Sequence, residues 1–199
     1  MDRLVLAFIT GNTAKFREAL RAVKPYGISL VQRNAEKLEI QSASLEEISL
    51  RAAKEAYRIL GEPLVVEDSG LFVESLKGFP GPYSSYVYKT IGVPGLLKLL
   101  EGETHRRACF RAAVALVTSC YEGVFIGETC GVIAGKARGS RGFGFDPVFI
   151  PEGASKTFAE MSLEEKNKYS HRAKAFSRMA SYVASNPSII SCGDSPVSG

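Results

Sequence analysis

The apolar positions of this chain fall into two rhythms. Continuous runs predict buried strands, and spaced positions between polar residues predict amphipathic helices. Leu4-Val5-Leu6-Ala7-Phe8-Ile9 is a continuous run, and Phe16-Arg17-Glu18-Ala19-Leu20 after it reads as a helix. Pro25-Tyr26-Gly27 ends that helix. Ser29-Leu30-Val31 reads as a short strand, and residues 37 to 41 as a polar-flanked extended piece. Ser44-Leu45-Glu46-Glu47 is a capping box, with Ser44 as N-cap and Glu47 reaching back. It opens a helix that runs to about Leu60 and stops at Gly61.

Leu64-Val65-Val66-Glu67 predicts a second buried strand, broken by Asp68-Ser69-Gly70 and resumed at Leu71-Phe72-Val73. Residues 78 to 82 read as a rigid loop, followed by helical segments, one from Pro94 to before Gly102. Residues 106 to 117 and 124 to 137 predict two strands around a turn at 119 to 123, with one wet face. A glycine-rich loop spans 139 to 147, and Ser162-Leu163-Glu164-Glu165 is a second capping box. The last helix runs from Ser170 to about Ala184. No repeat or long linker divides the chain, so residues 1–185 read as one domain and 186–199 as a flexible tail.

Composition narrows the class. The chain has 199 residues, 45% hydrophobic and 23% charged, which suits one α/β domain with a sizeable core. No apolar run approaches the roughly 20 residues that span a membrane, and no leader pattern opens the chain. The expectation is a cytoplasmic protein. The net charge of +4 favours anionic ligands mildly and does not mark a nucleic-acid binder. Cys109, Cys120, Cys130 and Cys192 form no C-x-x-C pair, so neither zinc nor a disulfide framework is expected. Cys109 and Cys130 read as core filler in apolar strands.

Four stretches carry candidate chemistry. Thr10-Gly11-Asn12-Thr13-Ala14-Lys15 joins a strand to a helix, where unpaired N–H groups and a positive dipole end seat an anion. Lys15 is placed to reach the same anion. Neither G-x-x-x-x-G-K-[ST] nor G-x-G-x-x-G occurs. In Glu67-Asp68-Ser69-Gly70, an acid at the end of an apolar strand is costly without a job or a partner, which points Asp68 to a ligand; the other reading is a turn-forming Asp with a solvated carboxylate, and taken alone the two weigh equally. A carboxylate facing a bound phosphate calls for a cation, and Mg²⁺ is expected, with Glu39 a second candidate ligand or a surface residue.

The third stretch is Arg138 to Pro147, where Phe143 and Phe145 sit among glycines. A nucleobase stacked on such a ring gains about 1–3 kcal/mol. Asp146 offers an acceptor to a ring N–H or sugar hydroxyl. The alternative is a turn anchored in the core by its rings, favoured for Phe145. The fourth stretch, Glu165 to Arg172, gathers Lys166, His171 and Arg172 around a helix start capped by Ser170. These are donors for a base with carbonyl oxygens, or else solvated surface groups. The chain has two histidines, His105 and His171, and no G-x-S-x-G, which disfavours covalent catalysis.

Together and in this order, these stretches resemble the inosine triphosphate pyrophosphatase (XTP/dITP diphosphatase) family over roughly residues 4 to 184. Thr10-Gly11-Asn12 with Lys15 is similar to its triphosphate-binding opening, Leu38-Glu39-Ile40-Gln41 to its metal-binding glutamate segment, and Val66 to Leu71 to the strand bearing its catalytic aspartate. Phe79 to Ser84 resembles the loop after it. Phe143-Gly144-Phe145-Asp146-Pro147 resembles its base-stacking loop, and Glu165-Lys166-Asn167 with Ser170-His171-Arg172 its closing substrate helix. Ser84-Ser85-Tyr86 lacks an arginine that many bacterial members carry there.

The resemblance implies an elongated mixed β-sheet flanked by helices, two lobes with the active site in the cleft between them, and a homodimer. It implies Mg²⁺-dependent hydrolysis of ITP, dITP and XTP between the α- and β-phosphates, yielding nucleoside monophosphate and pyrophosphate. The implied catalytic residues are Asp68 and Lys15, and the metal ligands Glu39 and Asp68. Implied substrate-binding residues are Thr10, Gly11, Asn12, Lys15, Ser69, Phe143, Gly144, Phe145, Asp146, Lys166, His171 and Arg172. Phe143 would stack on the base, and His171 and Arg172 would donate to its 6-oxo oxygen, so that a 6-amino purine leaves donor facing donor. The rival readings are a pyrophosphatase for modified pyrimidine nucleotides and a nucleotide-binding module without turnover.

Overall fold

A strand that is apolar at every position needs cover on both faces, and that requirement organises the chain. The computed structural model describes residues 4–34 and 40–190. The N-terminal part runs β1 (Leu4–Ile9), α1 (Thr13–Val23), β2 (Ile28–Arg33), α2 (Leu45–Leu60) and β3 (Leu64–Val73). Then come β4 (Pro80–Gly81), α3 (Ser84–Thr90), α4 (Gly92–Leu99), β5 (Arg107–Val117) and β6 (Glu122–Ile133). The chain continues through β7 (Phe149–Pro151), α5 (Leu163–Tyr169) and α6 (His171–Ser185). The sheet order is β2-β1-β3-β5-β6-β7, with β4 paired to β3. β2, β1 and β3 are mutually parallel, and the pairs from β3 through β7 are antiparallel. The architecture is a mixed α/β sheet flanked by helices.

Alternation along the central strands sorts the core. Leu6 and Phe8 of β1, Val65 of β3 and Val114 and Leu116 of β5 pack with α1 and α6. Ala7, Ile9, Leu64, Val66 and Ala115 pack on the other face against Ala52, Ala53 and Ala56 of α2. A third cluster, farther along β3 and β5, joins Leu71, Val73 and Phe110 to Val87, Leu96, Phe145, Phe149 and Phe158. The long strands β3, β5 and β6 run from the helix-covered part into this aromatic part.

Four expectations are corrected here. Asp68-Ser69-Gly70 does not break a strand, because β3 is continuous and pairs these residues with Ala113, Ala112 and Arg111 of β5. What does end is the parallel pairing with β1, whose last pair is Ile9 with Val66. Asp68 therefore lies beyond the carboxyl end of β1 while remaining inside its own strand. At the start of α2, Ser44 Oγ accepts from Glu47 N–H, but Glu47 does not reach back. Ser42 intervenes, accepting from Ser44 N–H and donating to the Glu47 carboxylate at 2.8 Å.

The cysteine reading changes most. Cys109 and Cys130 are directly opposed on β5 and β6 and form a disulfide. Spacing in sequence conceals this, since the pair is made by the register of two strands. The tail expected from residue 186 begins with an ordered turn, Pro187–Ile189, and Ile189 and Ile190 pack against the core. The capping box at Ser162 and Glu165 forms as expected. The extended piece expected at 37 to 41 falls largely outside the described residues.

Candidate active site

The turn at residues 10–15, the candidate anion seat, is built by its asparagine. Asn12 caps α1, and its Oδ1 accepts from the backbone N–H groups of Ala14 and Lys15 at 2.9 and 3.1 Å. Asn12 N–H in turn donates to Thr10 Oγ1 at 3.1 Å. The open N–H groups expected for an anion are thus partly taken by the cap itself. The turn is held rigid, and Gly11 is exposed at its tip. Lys15, one turn into the helix, reaches across to β3 and pairs with Glu67 Oε2 at 2.8 Å.

From Glu67 a buried chain of charges crosses the molecule. Arg172 donates through Nε to Glu67 at 3.0 Å, through one terminal nitrogen to Glu18 at 2.8 Å, and through the other to Ser69 Oγ at 2.9 Å. Glu18 also takes Lys166 Nζ at 2.5 Å, and Lys166 bridges on to Asp146 at 2.7 Å. Asp146 accepts the backbone N–H of Phe143 at 2.9 Å, which closes the glycine loop on itself. Three cations and three carboxylates balance, as burial requires. Burial alone would raise the Glu18 pKa, but Arg172 and Lys166 overcome it and hold it down to about 2. Burial likewise opposes ionisation of Glu67, and Arg172 and Lys15 win, placing it well below the usual carboxylate range. For Asp146 burial prevails over Lys166, and its pKa is raised.

A cavity of about 330 Å³ opens beside this network. Asn12, Lys15, Asp68 and Ser69 line one part of it, and Phe143, Gly144, Phe145, Asp146, His171 and Arg172 another. Distant segments thus converge as expected. Phe143 is half-buried, with Lys166 Nζ 4.8 Å and the Arg172 guanidinium 5.3 Å from its ring centre. Phe145 is buried in the aromatic core, edge-on to Tyr88. Its core-anchor reading holds, although the residue also borders the cavity.

The solvated readings of Lys166, His171 and Arg172 do not hold, since all three are buried. His171 lies parallel to Phe110, ring centres 4.8 Å apart and planes within 9°. Both of its ring nitrogens are buried and have no hydrogen-bond partner among the described residues. Burial and then the nearby Arg172 push its pKa well below the ordinary histidine value, so the ring is neutral. A buried polar ring without a partner costs stability unless a ligand completes it. Arg172 spends three of its five N–H groups inside the protein, so fewer remain for a substrate than the sequence suggests. Glu39 lies outside the described residues. Among those described, the one three-donor cluster is Cys109, Glu128 and Cys130, none of which lines this cavity and whose sulfurs are bonded to each other.

The pattern of the Ham1 family matches residues 6–182. The chain belongs to the Ham1 family. It is 55% identical over 175 residues to the dITP/XTP pyrophosphatase of Hyperthermus butylicus, spanning 88% of this chain and 92% of that one. It is 51% identical over 180 residues to that of Saccharolobus solfataricus, spanning 90% and 94%. Among solved structures, the Staphylococcus aureus Ham1 protein superposes with a TM-score of 0.79 at 26% identity, covering 91% of this chain and 98% of that one. The nucleoside-triphosphatase (dITP/XTP pyrophosphatase) from Mycobacterium abscessus superposes at 0.69 with 34% identity, covering 88% and 98%.

Two members of this candidate site escaped the sequence reading as site residues. Glu18 is the hub of the network, and Glu67 anchors both Lys15 and Arg172. A signal for Glu18 existed, because it sits in the buried stripe of α1 with Ala19, Ala22 and Val23. An acid inside an apolar stripe implies a buried partner. Phe110, which supports His171, carried no signal beyond strand apolarity.

Proposed function

We propose that this chain hydrolyses non-standard purine nucleoside triphosphates, ITP, dITP and XTP, between the α- and β-phosphates, releasing a nucleoside monophosphate and pyrophosphate. The observation that carries the reading is the pairing, in one cavity, of a lysine-bearing turn at a helix start with a buried neutral histidine whose ring nitrogens have no partner among the described residues. The relatives, dITP/XTP pyrophosphatases, support the same substrate class.

In this reading the Asn12-capped turn and Lys15 hold the phosphate chain and meet the charge on the leaving pyrophosphate. Lys15 shares its charge between Glu67 and the incoming polyanion. Asp68 takes the proton from the attacking water. Phe143 offers a ring face to the base, and His171 with the uncommitted N–H groups of Arg172 reads the 6-oxo edge. An adenine amino group there would leave buried donors opposed. A divalent cation fits the donor set, because the surrounding network is charge-balanced and cannot by itself offset a polyanion. Asp68 would hold it, joined by Glu39 on the family resemblance. When bound, Mg²⁺ would neutralise phosphate charge.

We also assign a homodimer and a cytoplasmic setting, where nucleotide pools lie. Exposed Tyr83, Tyr86, Ile91 and Leu99 around α3 and α4 support the dimer. The Cys109–Cys130 bridge narrows the setting, since intracellular disulfides are rare outside hyperthermophiles.

Product analysis with ITP and Mg²⁺ tests the reaction. Inosine monophosphate and pyrophosphate are expected, with GTP, ATP and modified pyrimidine triphosphates turned over far more slowly. Asp68→Asn should lower kcat by roughly 10²–10⁴-fold while nucleotide binding persists. Orthophosphate as the product, preference for a pyrimidine, or near-normal kcat in the variant would each overturn the corresponding assignment.

A further inference from the structure

The cavity has a wall that none of the assigned residues occupies. It belongs to α3, which contributes Ser84, Ser85, Tyr88 and Lys89. This short helix is tied down at both ends. At its start, Ser84 Oγ accepts from Leu71 N–H at 2.8 Å and donates to Gly81 O at 2.7 Å, which fixes it to β3 three residues beyond Asp68. Near its end, the Tyr88 ring meets the Phe145 ring edge-on, centroids 5.6 Å apart, which fixes it to the base loop. Lys89 is therefore mounted on an element registered against both halves of the site.

Charge gives that lysine a role. Lys15 is paired with Glu67, Arg172 with Glu67 and Glu18, and Lys166 with Asp146 and Glu18. The network offers no surplus positive charge, and Asp68 adds a carboxylate to the lining. Lys89 is exposed, lines the cavity, and has no carboxylate partner among the described residues. A triphosphate brings several negative charges, and a cation not already neutralised contributes most to capturing them. We infer that Lys89 binds the phosphate chain of the substrate from α3, opposite the Asn12 turn. This deepens the proposed function and rests on it for the identity of the nucleotide, though not for the class of ligand, a polyphosphate.

The test measures binding of inorganic tripolyphosphate and of inosine monophosphate by calorimetry, for the wild-type chain, Lys89→Ala and Lys89→Arg. Lys89→Ala should weaken tripolyphosphate binding on the order of tenfold, the scale of one charge-assisted contact. It should leave monophosphate binding within twofold and flatten the salt dependence of tripolyphosphate binding, and Lys89→Arg should restore most of the loss. The KM for ITP should rise in parallel with kcat little changed. Unaltered tripolyphosphate binding overturns the inference. Equal weakening of both ligands also overturns it, because that marks general damage to the cavity. If the wild-type chain fails to release pyrophosphate from ITP, the proposed reaction falls, and the tripolyphosphate comparison still decides Lys89.

Discussion

Glu18 is the residue on which most of the buried charge turns. It accepts Lys166 and Arg172 on separate oxygens, and both cations are themselves buried. Removing one partner from such a set is far costlier than never having built it, because the remaining charges stay desolvated. Glu18→Gln should therefore destabilise the fold by about 3–5 kcal/mol, read as a lower denaturant midpoint. The pH dependence has a definite sign. The Glu18 pKa falls from 4.5 in the unfolded chain to about 2 in the fold. Its contribution is complete above 4.5 and is lost as pH falls towards 2, a span worth about 3 kcal/mol. Glu67 acts with the same sign, and Asp146, whose pKa is raised, partly offsets them. Urea titrations at pH 5 and pH 3 should show a smaller stability loss in Glu18→Gln than in the wild type. Equal losses would remove Glu18 from the acid limb.

Among the elements, α6 decides where the base would be read, and β6 decides where α6 lies. Gly127 of β6 supports the first turn of α6 so closely that a Cβ there would sit 2.0 Å from His171 O and 2.6 Å from Ala175 N. Thr129, two residues along, donates to Tyr169 O just before the helix begins, and Lys174 returns to Thr129 and to Glu128 O. The strand thus grips the helix start from which His171 and Arg172 project. Gly127→Ala should push α6 outward, with a stability loss of about 1–3 kcal/mol from overpacking. It should also raise the KM for ITP, because the His171–Phe110 stack and the Arg172 contacts move together. A lowered melting temperature with unchanged KM would show that the tilt of α6 does not set the base site. The disulfide one rung from the Phe110–Thr129 pair braces the same two strands.

At the scale of the whole molecule, the aromatic side chains left exposed around α3 and α4 predict self-association. The wild-type chain should sediment as a dimer at micromolar concentration, and Tyr86→Glu should shift it towards monomer; a monomeric wild type would refute the dimer. The strands, helices and caps were largely legible, because β1, α1, α2 and α6 each carry their own periodicity and stop signals in adjacent residues. The turn at residues 10–15, the glycine loop and the residues around Ser170 stood out as candidate chemistry for the same reason: their character lies in short contiguous stretches. Local order could not reveal how those stretches are joined. Asp68-Ser69-Gly70 has the composition of a turn, yet ten backbone pairs with β5 keep it in a strand. Cys109 and Cys130 are separated by 21 residues and become neighbours through register alone. Taken alone, Lys166, His171 and Arg172 read better as solvated groups, until α1 and β3 bring Glu18 and Glu67 against them. The sequence by itself determined which segments would be strand, helix and capped turn, since propensity and periodicity act over a few residues. Only the tertiary structure decided which charges are buried together, because that balance depends on side chains from distant segments being removed from water at the same place.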